Sequence, residues 1–162
     1  MQIFEMLITR ISRFLDFAAG LILAVTAALI VANILARALL NTPILGTYEM
    51  VGFFTAGAVG LALARCALEN SHIAVEFIMD RFPQPVRKIV QLITGLPVVG
   101  FMIFTAYNLF LYGVRIAESG EVSATTQMAF YPFIYMVALG FLALSLVLVL
   151  KLLQLFMGGE QR

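Results

Sequence analysis

Charge is scarce in this chain. Lysine, arginine, aspartate and glutamate together make up 12% of its 162 residues, about half the ~25% usual for a soluble domain. A surface facing water needs more. Cysteine occurs once, as Cys66, which excludes an internal disulfide and a cysteine metal cluster. Histidine also occurs once, as His72, so the chain cannot alone supply two axial histidines to a haem. Tryptophan is absent, although it usually marks membrane interfaces; the five tyrosines and the flanking charges must take that role. Ten basic residues against nine acidic ones give a net charge of +1, with no basic face for nucleic acid. A phosphate-binding glycine loop, a metal-ligand spacing and a nucleophile–base pair are all missing. No catalytic residue, cofactor or metal is expected.

What is present is apolar. Hydrophobic residues make up 62% of the chain and the mean hydropathy is +1.03. Such a chain uses lipid in place of water as the solvent for its outer surface. A bilayer core requires about 20 apolar helical residues per crossing. Charge-free runs at 17–36, 50–64, 89–114 and 122–150 predict four transmembrane helices, over about 14–37, 47–68, 86–112 and 130–156. The third contains Gly95, Pro97 and Gly100, which predicts a kink rather than a break. Pro132 falls in the first turn of the fourth, where a missing N–H does no harm. Helix one exceeds a signal-peptide core of about 7–15 residues, so it is expected to be retained.

Between helices two and three, 69–88 is too polar to span. Ile73, Ala74, Phe77, Ile78 and Phe82 share one helical face, and His72, Glu76 and Asp80 the other, with Pro83 as a stop. This predicts an amphipathic helix over about 71–82, lying along the membrane surface. Eight basic residues fall on the side of the termini and only Arg37 and Arg115 on the other, which places both termini in the cytoplasm. The expected fold class is an all-α integral membrane protein of four transmembrane helices, an interfacial amphipathic helix between the second and third, and cytoplasmic termini. It forms one four-helix domain over 1–162.

Small residues recur every four positions, at Gly20, Ala24, Ala28, Ala32 and Ala36 in helix one and Gly52, Ala56, Gly60 and Ala64 in helix two, with Gly57 alongside. Such stripes let helices approach closely. They serve either packing within the helix one–two hairpin or docking on another protein. Asp16, Arg37, Glu49, Arg65 and Arg115 all lie near span ends, where long side chains reach the headgroups. The deeper polar groups, Asn33, Thr94, Thr105, Asn108 and Ser145, carry no charge. A carrier usually shows a charge or a broken helix at the midplane, and neither is evident here.

The stretch 37–83 resembles the small membrane subunit of tripartite ATP-independent periplasmic (TRAP) transporters, the DctQ-like family. The resemblance rests on Arg37 closing helix one, then Pro43-Ile44-Leu45-Gly46-Thr47-Tyr48-Glu49 opening helix two. Gly57, Gly60, Ala62 and Arg65 follow, and Asn70-Ser71-His72-Ile73 leads through Val75 and Glu76 to Pro83. Pro132-Phe133 and Gly140 resemble the start of the family's fourth helix. One departure is Tyr48, where the family commonly has Trp.

The resemblance implies a non-catalytic subunit in a bacterial inner membrane. Its implied partners are a large multi-span membrane subunit, a periplasmic substrate-binding protein and membrane lipid. It would serve as a scaffold or stator while the large subunit, driven by sodium, moves an organic acid inward by an elevator motion. Arg37, Tyr48, Glu49, Gly57, Gly60, Arg65, His72 and Glu76 match the family pattern and are the candidate interface and anchoring residues. Arg37 and Glu49 are expected to pair across the first loop, Arg65 to reach the headgroups, and His72 with Glu76 to form the polar face of the surface helix. Two other functions compete. One is a self-sufficient small carrier using Glu49, which predicts balanced basic loops. The other is the membrane anchor of a redox complex using His72, which predicts a haem spectrum.

Overall fold

The computed structural model describes residues 2–69 and 84–156. Four helices account for almost all of them: α1 (Gln2–Leu40), α2 (Thr47–Leu68), α3 (Gln84–Ser119) and α4 (Tyr131–Phe156). All four are long and apolar enough to cross a membrane. No β-strand is present among the described residues, only an isolated antiparallel bridge between Val122 and Ala129. The amphipathic helix expected over 71–82, with His72 and Glu76, lies outside the described residues.

The helices outrun the charge-free segments. α1 begins at Gln2 rather than near 14, because Glu5, Arg10, Arg13 and Asp16 continue a helix whose other face is buried. Ile8, Ser12, Leu15 and Ala19 are all buried at the helical spacing of one face. α3 continues past 112 through Arg115 and Glu118 to Ser119 and ends before Gly120, which has φ +66°. Pro97 lies inside α3 without ending it, and Pro132 is the second residue of α4.

α2 and α4 form the central pair; α1 packs on α2 and makes a lesser contact with α4, while α3 packs on α4. The main core is the region where three helices meet. It contains Ile8, Leu15 and Ala19 of α1, Ala58, Leu61, Ala64 and Ala67 of α2, and Ala143, Leu144, Val147 and Leu150 of α4. Alanine is frequent there because lipid tails supply no hydrophobic drive for helix association, so close van der Waals contact must hold the helices. The start of α1 and the end of α4 meet, where Gln154 Nε2 donates to Glu5 Oε1 at 2.5 Å.

Two glycines of α2, Gly57 and Gly60, face α4, while Gly52 is exposed. A Cβ on Gly60 would stand 2.9 Å from Val137 Cα, and one on Gly140 would overlap the Gly60 carbonyl group. The two backbones therefore touch. Gly57 is looser, with Met136 Sδ 3.4 Å from where its Cβ would be. Packing within the helix one–two hairpin does not account for this pair, because α4 is the neighbour they meet. The α1 stripe points elsewhere again: Gly20, Ala24, Ala28 and Ala32 are exposed, and nothing stands within 4 Å of a Cβ built on Gly20.

Candidate functional site

Among the described residues, the densest group of polar contacts lies at the end of the bundle opposite the Glu5–Gln154 contact. It starts with Gly46, whose φ of +75° turns the chain into α2 in a conformation that favours glycine. The Thr126 side chain sits against it so closely that any Cβ there would collide. Asn33 steadies the approach, its Oδ1 accepting the Ile44 N–H at 2.8 Å. Thr47 Oγ1 donates to the Ile44 carbonyl at 2.7 Å. That geometry places Glu49 in the first turn of α2, where the helix dipole favours an anion.

The Glu49 carboxylate reaches across to the connection between α3 and α4. Ser123 Oγ donates to Oε2. The Thr125 N–H donates to Oε1 at 3.1 Å and to Oε2 at 3.3 Å. Oε2 also accepts the Thr126 N–H at 3.3 Å and, more weakly, Thr126 Oγ1 at 3.4 Å. Hydrogen bonds to an ionised acceptor are stronger than neutral ones, so one side chain fixes a loop. The loop closes on itself as well: Ser123 N–H donates to the Met128 carbonyl at 2.9 Å and Gln127 N–H to the Ser123 carbonyl at 3.0 Å.

Beneath this clasp lies an aromatic layer. Phe53 of α2 stacks on Phe130 and Phe133, with centroids 5.7 and 5.5 Å apart, and Phe54 meets Phe133 edge-on at 5.5 Å. Phe110 of α3 meets Tyr135 of α4 at 5.5 Å, and Gly113 leaves room for that same tyrosine ring. An open apolar groove of about 200 Å³ runs beside the stack, between Phe53, Leu109, Tyr112, Phe133 and Val137.

The candidate residues separate into three groups. Glu49, Gly57 and Gly60 make the interior contacts described above. Arg37, in the last turn of α1, and Tyr48, 93% exposed, face outward. The expected Arg37–Glu49 pair is not formed among the described residues; the carboxylate has turned to the Ser123–Thr126 donors instead, whose N–H groups need an acceptor. Arg65 pairs with Glu69 one turn on. His72 and Glu76 lie outside the described residues. Four of the five deeper polar groups bond within their own helices, Thr94 to the Val90 carbonyl, Thr105 to Phe101, Ser145 to Leu142 and Asn108 to Phe104, whereas Asn33 bonds Ile44 beyond the end of α1.

Sequence reasoning missed Ser123, Thr125 and Thr126 as partners. The signal available was a hydroxyl-rich run opposite a lone carboxylate at a helix start. Among the described residues no three His, Cys, Asp or Glu side chains cluster as a metal site would require.

Four apolar helices, a glycine contact at the centre and a polar clasp at one end define a multi-span helical membrane protein. The family described as tripartite ATP-independent periplasmic transporters, DctQ component, matches residues 26–158, and the chain belongs to that family. It is thus a small membrane component of a TRAP transporter. No curated relative matches the chain.

Proposed function

We propose that this chain is the non-catalytic, stationary subunit of a sodium-driven transporter for organic acids. It lies in a bacterial inner membrane with both termini cytoplasmic and the Glu49 clasp outward. It enlarges the fixed scaffold against which a large membrane subunit moves its elevator domain, while a periplasmic binding protein delivers the substrate. The observation that carries this reading is the α2–α4 contact at Gly60 and Gly140. Backbones in direct contact cannot slide or part without losing their packing, and the Glu49 clasp ties the same helices to the outer connection. A stator requires such rigidity. A carrier acting alone would need Glu49 free to take up and release a coupling ion, yet both its oxygens are engaged.

Reconstitution into proteoliposomes tests the proposal. The large subunit and binding protein with this chain should take up substrate down an imposed sodium gradient, and omission of this chain should abolish uptake. Full-rate uptake in its absence would overturn the stator role.

A further inference from the structure

A groove separates α2 from α3. α2 packs on α1 and α4, and α3 packs on α4, so α4 forms the floor and the other two helices the walls. Phe53 and Ala56 line it from α2, Leu109 and Tyr112 from α3, and Phe133 and Val137 from α4. Phe53 and Ala56 follow Glu49 along α2 by about 6 and 10 Å of helix axis. The groove therefore occupies the hydrocarbon depth just beneath the clasp. Size decides between the occupants a membrane offers. The groove holds about 200 Å³. One turn of helix, about 10 Å across and 5.4 Å long, fills on the order of 400 Å³. A single acyl chain, narrow and as apolar as the walls, fits where a helix does not.

Above the groove, charges stand in order. Arg115 is one turn beyond Tyr112 toward the membrane surface, and Glu118 one turn beyond Arg115, about 4.5 and 9 Å further along α3. Both are exposed, and neither has a partner among the described residues. A phospholipid carries complementary groups in the same order: an apolar chain, then an anionic phosphate. In phosphatidylethanolamine a cationic amine follows, furthest out. A guanidinium matches a phosphate with two parallel hydrogen bonds. Arg37, the other unpaired arginine at this end of the bundle, makes the contrast. Beneath it α1 presents Ile30 and Ile34 as exposed, projecting side chains, where α3 has the groove.

We propose that the groove binds one phospholipid of the phosphatidylethanolamine class, with an acyl chain between α2 and α3, its phosphate on Arg115 and its amine at Glu118. The site lies within this chain and does not depend on the subunit role proposed above. Diacylglycerol lacks both charged groups and phosphatidylglycerol lacks the amine, so these two lipids separate the contributions of Arg115 and Glu118.

The test uses the full chain in detergent, stripped of loosely held lipid and titrated with the three lipids carrying identical acyl chains. Native mass spectrometry counts the lipid bound. One phosphatidylethanolamine per chain should bind more tightly than phosphatidylglycerol, and diacylglycerol least tightly. Arg115→Gln should weaken that binding about fivefold, the effect of one arginine near a membrane surface, and Arg37→Gln should leave it unchanged. Glu118→Gln should erase the preference over phosphatidylglycerol. Ala56→Phe, which fills the groove from its α2 wall, should abolish retention; its thermal midpoint reports whether the fold survives, and the exposed change at Arg115 tests the site independently. Equal binding by Arg115→Gln and the parent chain, an equal loss in Arg37→Gln, equal retention of all three lipids, or no lipid retained by the parent would overturn the site. So would loss of the lipid on assembly with the large membrane subunit, which would give the groove to a protein side chain.

Discussion

The central helices and the flanking ones obey different rules although all four face a membrane. In α2 and α4, 33% and 39% of the most apolar window is buried inside the protein, against 11% in each of α1 and α3. Hydropathy does not sort them: α4 has the highest value, 2.7, but α2 and α3 are equal at 1.7. Side-chain size does at the α2–α4 contact, although the small residues Gly20, Ala24, Ala28 and Ala32 of α1 stay exposed. Where Gly57, Gly60, Ala64 and Gly140 occur, helices touch; where Phe14, Phe17, Phe101 and Phe104 occur, they face away. In lipid an apolar residue gains little by being inside, so close approach rather than apolarity decides the interior.

Substitution of glycine breaks that contrast most sharply. In Gly140→Leu the new side chain would overlap the Gly60 carbonyl, which neither backbone can relieve without separating α2 from α4. We expect a loss of about 3 kcal/mol or more, read as a lowered thermal midpoint in detergent and a poor yield of folded protein. Gly20→Leu on the flank, with nothing within 4 Å, should change the midpoint by less than about 0.5 kcal/mol. Equal effects at the two sites would mean that size does not set the interior.

The clasp comes next. Glu49→Gln keeps the length of the side chain but removes its charge and replaces one acceptor oxygen with a donor, so the Thr125 and Thr126 N–H groups compete for what remains. Their amides should exchange with solvent several-fold faster, while amides in the α2–α4 core hold their protection. Unchanged exchange at Thr125 and Thr126 would show that the loop is fixed by its own turn and not by Glu49.

A gain is expected from Ser12. It is 1% exposed, and its Oγ has no hydrogen-bond partner among the described residues. Leaving a buried hydroxyl unsatisfied is unfavourable by about 1 kcal/mol, so Ser12→Ala should raise the thermal midpoint. A fall would indicate that the hydroxyl makes a bond in the membrane that the isolated fold lacks.

The four spans were legible because charge cannot enter the hydrocarbon, and the gaps between charged residues measured them directly. Helix ends were less so. Charge-free length reports the membrane's thickness, whereas α1 runs on past Asp16 and Arg13 because Ser12 and Ile8 continue its buried face. The small residues of α2 were visible as a contact surface, but one stripe fits any neighbour, and only the three-dimensional arrangement assigns it to α4. The clasp was legible only as two halves, a carboxylate at a helix start and a hydroxyl-rich run: Glu49 and Ser123 lie 74 residues apart, and nothing in the sequence joins them. His72 and Glu76, prominent in the sequence, fall outside the described residues.

The smallest effect belongs to the opposite end of α2. Arg65 and Glu69 form an ion pair one turn apart, with side chains 27% and 55% exposed. Such pairs contribute about 0.5 kcal/mol, because water already solvates both charges and holding two long side chains in register loses entropy. A double-mutant cycle of Arg65→Ala and Glu69→Ala should return a coupling of about that size and should shrink in high salt. The clasp at Glu49 differs in kind, since its donors are backbone N–H groups fixed by the loop. A coupling at Arg65 well above 1 kcal/mol would contradict the exposed-pair estimate and make the two ends of α2 equals. The expected weak value leaves the three-helix core, the glycine contact and the Glu49 clasp as the attachments that hold α2 in place.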